Sequence, residues 1–259
     1  MKYLTIFLLI FLTVSCRAPE KDFYEKKDVE IIYPEPIQKM LDAHGGLDVW
    51  KSKSTLSYHV TRGERKEIHT IDLRNRNVLI NGDGYDIGFN GVEAWMSPDK
   101  SAWPDARPRF YHNLIFYFHS LVFLVTDAGV NISNKGIQEV DGQALIEVSV
   151  TYQDQVGDSP EDEYVLFINP ETYRLEHILY TVTYFTGEKR RDYNGLKYTS
   201  WKKVDGLLIP DEFVGYTVEG GVLAKERYVA SFSDIHFSEE SPEQTIFEIP
   251  EISVIDTLK

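Results

Sequence analysis

Residues 69–96, HTIDLRNRNVLINGDGYDIGFNGVEAWM, alternate apolar with polar side chains and are cut at short intervals by turn residues. A period of two puts one set of side chains on each face of a pleated strand. Asn81-Gly82-Asp83-Gly84 and Asn90-Gly91 supply the positive φ angles that tight hairpins need. The segment therefore reads as four antiparallel strands. The pattern returns in ALIEVSVTY (residues 144–152), where Ile146, Val148, Val150 and Tyr152 share a face, and in two long strands around Asn169-Pro170-Glu171-Thr172. Val204-Asp205-Gly206 and Glu219-Gly220-Gly221 mark two more hairpins, and RYVASFSDIHF is the last strand. About ten or eleven strands joined mostly by tight turns predict an antiparallel sheet within a single domain.

One segment breaks the rhythm. YHNLIFYFHSLVFLV (residues 111–125) is bracketed by Pro104 and Pro108 on one side and Gly129 on the other, which is helix punctuation. Its apolar part, Leu114 to Val125, is much shorter than the about 20 residues a membrane-spanning helix needs. A helix apolar on nearly every side must be covered on nearly every side. The expectation is a mainly β fold in which a curved antiparallel sheet, an open half-barrel, holds this helix against its concave face. A second, shorter helix is expected before the strands, in PEPIQKMLDAHGGLDVW, where Ile37, Met40, Leu41 and His44 follow helical spacing and Gly45-Gly46 end it.

The N-terminus, MKYLTIFLLIFLTVSC, has a basic start at Lys2, an apolar run from Leu4 to Leu12 and a small residue before Cys16. These are the parts of a signal peptide, residues 1–15. Cys16 sits where the lipidated cysteine of a bacterial lipoprotein stands, so it is the expected lipidation site; an ordinary secretory signal with an incidental cysteine is the alternative. Cys16 is the single cysteine, which leaves no partner for an internal disulfide. Residues 16–33 read as the lipidated cysteine and a charged, aperiodic tether, and residues 34–259 as the β domain.

The order of signal, short helix, strands, helical insertion and further strands resembles the LolA/LolB-like superfamily, periplasmic carriers and receptors of lipoproteins. AHGGLDVW (43–50), PRFYHNL (108–114), GDSPEDEY (157–164), YTVTYFTGEK (180–189) and GLLIP (206–210) resemble a group of Bacteroidetes lipoproteins of unknown function. The resemblance implies an outer-membrane lipoprotein of the cell envelope, on the periplasmic face or the cell surface, held to the membrane by its anchor. It also implies a half-barrel cavity for a lipid, an acyl chain or another apolar ligand. Aromatic residues make up 13% of the chain, enough to line such a cavity or to fill a solid core. The candidate ligand-binding residues are Trp95, Phe110, Tyr111, Phe116, Phe118 and Phe123.

A net charge of −14 argues against nucleic acid as a partner, because phosphates require clustered Lys and Arg. The seven histidines include no metal-binding spacing. Gly157-Asp158-Ser159 lacks the context of a hydrolase nucleophile, and Asp158, Glu161, Asp162 and Glu163 read as a solvated acidic turn. No catalytic residue, cofactor or metal is therefore expected, and the chain reads as a non-enzymatic binding protein. Two rivals stay open: an interaction lipoprotein with a solid core, and a hydrolase acting on envelope lipid or glycan. Trp50 is expected to seal the open edge of the sheet.

Overall fold

A computed structural model describes residues 32–257. The expected signal peptide, Cys16 and nearly all of the tether lie outside the described residues. Residues Tyr33–Lys259 form one compact unit. Two short helices open it, α1 (Glu35–Ala43) and α2 (Leu47–Ser52). Five strands follow: β1 (Thr55–Arg62), β2 (Arg65–Asp72), β3 (Val78–Gly82), β4 (Tyr85–Phe89) and β5 (Ala94–Ser97). The long helix α3 (Pro108–Leu124) separates them from β6 (Val130–Val140), β7 (Gln143–Tyr152), β8 (Tyr164–Ile168) and β9 (Leu175–Tyr180). The chain continues as β10 (Asn194–Val204), β11 (Leu207–Glu219), β12 (Val222–Ser238), a 3-10 turn (Gln244–Phe247) and β13 (Val254–Asp256).

All thirteen strands join one antiparallel sheet in the order β13-β5-β4-β3-β2-β1-β12-β11-β10-β9-β8-β7-β6, which is not closed. Two or three strands more than expected are present among the described residues. β13 has only three residues and no room to show alternation, and it adds itself to the edge beside β5. α2 is a turn and a half that begins right after Gly45-Gly46, so those glycines join two helices rather than end one.

α3 starts at Pro108, a residue that suits the first helical turn because the missing N–H would have had no partner there. It lies in the concavity, and the sheet curls around it. His112 stacks on Phe89 of β4 at 4.3 Å, and Tyr117 packs on Tyr164 of β8 at 5.2 Å. Between these, His119 stacks on Tyr58 of β1 at 4.8 Å and Phe118 packs on Tyr180 of β9 at 4.7 Å. β4 and β8 belong to opposite arms of the sheet. A helix some 10 Å across touches both only if the arms curl toward each other. The apolar helix therefore fills the middle of the half-barrel.

α1 buries Ile37, Met40 and Leu41 completely. Trp50 of α2 stacks on Phe123 of α3 at 4.6 Å and meets Phe237 of β12 edge-on at 6.1 Å. It wedges the C-terminal half of α3 rather than sealing a sheet edge.

Candidate functional site

The cover over α3 is incomplete along one line. Phe110, Leu114 and Tyr117 are half-buried and Asn113 is exposed, while nearly all of the other residues of the helix are buried. These four stand at i, i+3, i+4 and i+7, one stripe of a helix. The stripe is largely apolar, yet it is only partly covered: Tyr117 meets β7 and β8, while Asn113 is exposed. An open cleft runs along each side of it.

The first cleft has a volume of about 410 Å³ and lies between α3, the start of β6 and the β7–β8 connection. Its floor is aromatic: Tyr117 and Tyr152 share a hydroxyl–hydroxyl hydrogen bond, and Tyr164 packs on both. Each end carries an ion pair. Arg76 donates to both oxygens of Asp127 at 3.0 Å, and Arg109 donates to Asp158 at 2.6 and 2.9 Å. Burial pushes the Asp127 and Asp162 carboxyls above their usual range, against the Arg76 guanidinium for the first and the Thr183 donors for the second. The acidic run 158–163 is the solvated turn expected from the sequence only in part: Asp158 and Glu161 are exposed, while Asp162 and Glu163 are half-buried. Asp158 holds Arg109, Asp162 accepts from the Thr183 amide at 2.6 Å and hydroxyl at 2.8 Å, and Glu163 accepts from Ser149 and Tyr193 at 3.2 and 3.1 Å.

The second cleft, about 450 Å³, lies on the other flank of α3, against β9, β10, β12 and the β1–β2 turn. Phe110, Leu114 and Phe118 line both clefts. Above the helix, Phe110 meets Tyr184 at 5.2 Å and Phe185 at 5.1 Å. These last two belong to the β9–β10 connection, which leaves the sheet at Tyr180 because Thr181 and Thr183 are drawn to Glu163 and Asp162.

A polar constellation sits deeper, between β2 and the start of α3. Glu67 is 4% exposed. Its oxygens accept hydrogen bonds from the Tyr85 hydroxyl, from the Tyr111 hydroxyl at 2.6 Å and from His69 Nε2–H at 3.2 Å. The Tyr58 hydroxyl donates to the other ring nitrogen of His69 at 3.2 Å. Burial opposes the charge on Glu67, but His69, Tyr111 and Tyr85 together hold its carboxyl below the usual range. Burial lowers His69 below the ordinary imidazole value, against the pull of Glu67. Glu67, His69, Tyr58, Tyr85 and Tyr111 line neither cleft and are hydrogen-bonded to one another. The arrangement anchors the N-terminal turn of α3 to the sheet. Tyr111→Phe is expected to lower the unfolding free energy by about 1–3 kcal/mol, the cost of removing one donor from a buried carboxylate, measured by urea denaturation.

The six candidate residues fall into three groups. Phe110 and Phe118 line the clefts. Tyr111, Phe116 and Phe123 are buried inside the core beneath them. Trp95 lies on the opposite face of the sheet, because Ile87 and Met96 take the core-facing positions and the alternation turns Gly88 and Trp95 outward. There its indole covers Gly88, where a Cβ would come within 2.1 Å of it, and Nε1 donates to the Phe247 carbonyl at 3.2 Å. Leu114, Tyr117, Tyr152 and Tyr164 were missed as lining residues. Asn113 and Tyr117, polar side chains four apart in an apolar helix, were the available signal for the uncovered side.

Among the described residues no helix is long and apolar enough to cross a membrane, and no cluster of His, Cys, Asp and Glu has metal-site geometry. No curated protein matches the sequence. The chain is similar in structure to a LolA superfamily protein from Nitrosomonas europaea, with 11% identity, a TM-score of 0.51 and coverage of 85% of this chain and 99% of that one. It also aligns with a DUF1329 family protein from Desulfovibrio piger at 13% identity and a TM-score of 0.49, over 83% and 98% of the two chains. The first likeness establishes the LolA-like fold. Residues 92–206, which hold α3, the whole of the first cleft's β7–β8 wall and the β9–β10 connection, match a family of unknown function, DUF6503.

Proposed function

We propose that the protein is a non-enzymatic binding protein of the cell envelope, anchored through Cys16, that takes an acyl chain or similar apolar ligand along the partly covered stripe of α3. The observation that carries this reading is the stripe itself. A largely apolar helix leaves Phe110, Leu114 and Tyr117 only half-covered, and an open cleft runs on each flank. Soluble domains rarely leave such a concave apolar surface unused. An acyl chain that removed roughly 300 Å² of apolar surface from water would gain on the order of 7 kcal/mol before the cost of association is subtracted. The LolA-like fold agrees with a carrier, receptor or sensor rather than a catalyst.

The chain from residue 17 retains the whole compact unit Tyr33–Lys259 and is suited to the test. Native mass spectrometry with lipid extraction is expected to find a co-purifying lipid, or uptake of added hexadecanoate. Phe110→Asp with Leu114→Asp, at positions that fold half-exposed, is expected to reduce occupancy about tenfold or more while leaving the melting temperature within a few degrees. A wild-type chain that purifies free of lipid and takes up none would refute the reading and favour the interaction lipoprotein.

A further inference from the structure

The two clefts differ in charge. In the first, both arginines are neutralised by aspartates. The second is lined by Arg62 and Arg227 and by no acidic side chain. Arg62 Nη2 donates to the Tyr111 hydroxyl at 3.1 Å, and its guanidinium lies over the rings of Tyr111 and Tyr228 at 5.4 and 5.7 Å. The nearest negative charge along that path is Glu67, which accepts from the far side of the same Tyr111 hydroxyl. Arg227 Nη1 donates to the Asn194 amide oxygen at 2.7 Å. Among the described residues neither arginine forms an ion pair. Both guanidiniums line the same cleft as Tyr180 and Tyr228. Two cations left without a carboxylate, beside Phe110, Leu114 and Phe118, are unexpected in a chain of net charge −14.

We propose that the second cleft selects an anionic amphiphile, with its carboxylate or phosphate head held by Arg62 and Arg227 and its chain laid along Phe118, Leu114 and Phe110. This rests on the apolar-binding reading above and names the ligand class. Guanidinium forks match both oxyanions, which bind through paired N–H donors. The apolar flank of the same cleft supplies the affinity, and the head fixes the direction of the chain.

The test is displacement of a fluorescent acyl probe from the chain starting at residue 17, at pH 8. The competitors are hexadecanoate, monohexadecyl phosphate and uncharged hexadecanol, each below its aggregation concentration. Both anions are expected to displace the probe at about tenfold lower concentration than hexadecanol, and the tighter of the two identifies the head as carboxylate or phosphate. In Arg227→Gln, a surface position that carries no core contact, the anionic advantage is expected to shrink to about threefold or less while hexadecanol is unaffected. Arg62→Gln with Arg227→Gln is expected to abolish it. Equal displacement by all three competitors, or an advantage untouched in the double variant, overturns the anionic proposal and leaves the apolar reading intact. Displacement by none overturns both.

Discussion

Between pH 7 and pH 5 the unfolding free energy is expected to fall by several kcal/mol. Burial holds His44, His112 and His177 down to about 4 and His119 to about 3, and it lowers His69 as well. An unfolded histidine titrates near 6.5. As the pH drops through that value the unfolded chain takes up protons that the native histidines refuse, so stability is full above about 6.5 and is lost down to about 4. By pH 5 each of the four would have cost about 2 kcal/mol, and together they rival the about 5–15 kcal/mol that a domain possesses. Asp127 and Asp162 act the other way: their raised native values make protonation favour the folded state at lower pH. Their burial is only partial, so they offset a fraction of the loss. The urea midpoint measured from pH 7.5 to 5 should fall throughout. His177→Gln, which removes a ring stacked on Phe167 at 4.4 Å without breaking a hydrogen bond, should make that fall shallower by about 2 kcal/mol. A midpoint independent of pH over this range would show that these rings are protonated or solvated in the native state.

The fold was largely legible because alternation and turn chemistry act locally. The four strands of residues 65–97 and the hairpins at 204–206 and 219–221 stand where their glycines and asparagines placed them. β6 and β13 were harder to see, since edge strands lean on one neighbour only and need not alternate cleanly. The site was legible in part. Choosing the largest aromatic residues of an all-apolar helix cannot separate the buried from the uncovered side, because such a helix has little amphipathic signal, and Phe116 and Phe123 went to the core. Trp95 faces outward through a strand parity that only the pairing with β4 reveals. The stretches that carry the family resemblance sort themselves in space. PRFYHNL, GDSPEDEY and YTVTYFTGEK all meet at the first cleft through Phe110, Asp158 and Tyr184. AHGGLDVW and GLLIP meet each other at a joint far from it in sequence. No local pattern reports such convergence, which the hairpin order of the sheet produces.

At that joint, Gly45→Ala is expected to be the most destabilising single-methyl change in the molecule. Gly45 has φ +106°, a conformation that costs an L residue about 1–3 kcal/mol. An added Cβ would also lie 2.3 Å from the Gly206 carbonyl oxygen and 2.9 Å from Leu207 Cα, both backbone atoms of the β10–β11 hairpin. That hairpin cannot yield easily. The His44 carbonyl accepts from the Leu208 amide at 2.9 Å, and His44 Nδ1–H donates to the Leu208 carbonyl at 2.8 Å. His44 Nε2 accepts from the Leu175 amide at 3.3 Å, so one neutral imidazole ties α1 to β9 and β11. Pushing Gly45 away breaks these bonds and lifts α1, with Ile37, Met40 and Leu41, from the core. The expected loss is about 4 kcal/mol or more, in the range reserved for a specific structural conflict. Gly46→Ala separates the two causes. Gly46 has φ +92° but nothing within 4 Å of its would-be Cβ, so it should lose only the conformational part, about 1–3 kcal/mol. Equal midpoints for the two variants in urea would mean that the close approach of Gly45 to Gly206 contributes nothing. A gap between them measures how tightly the N-terminal helices are held against the sheet that cups α3.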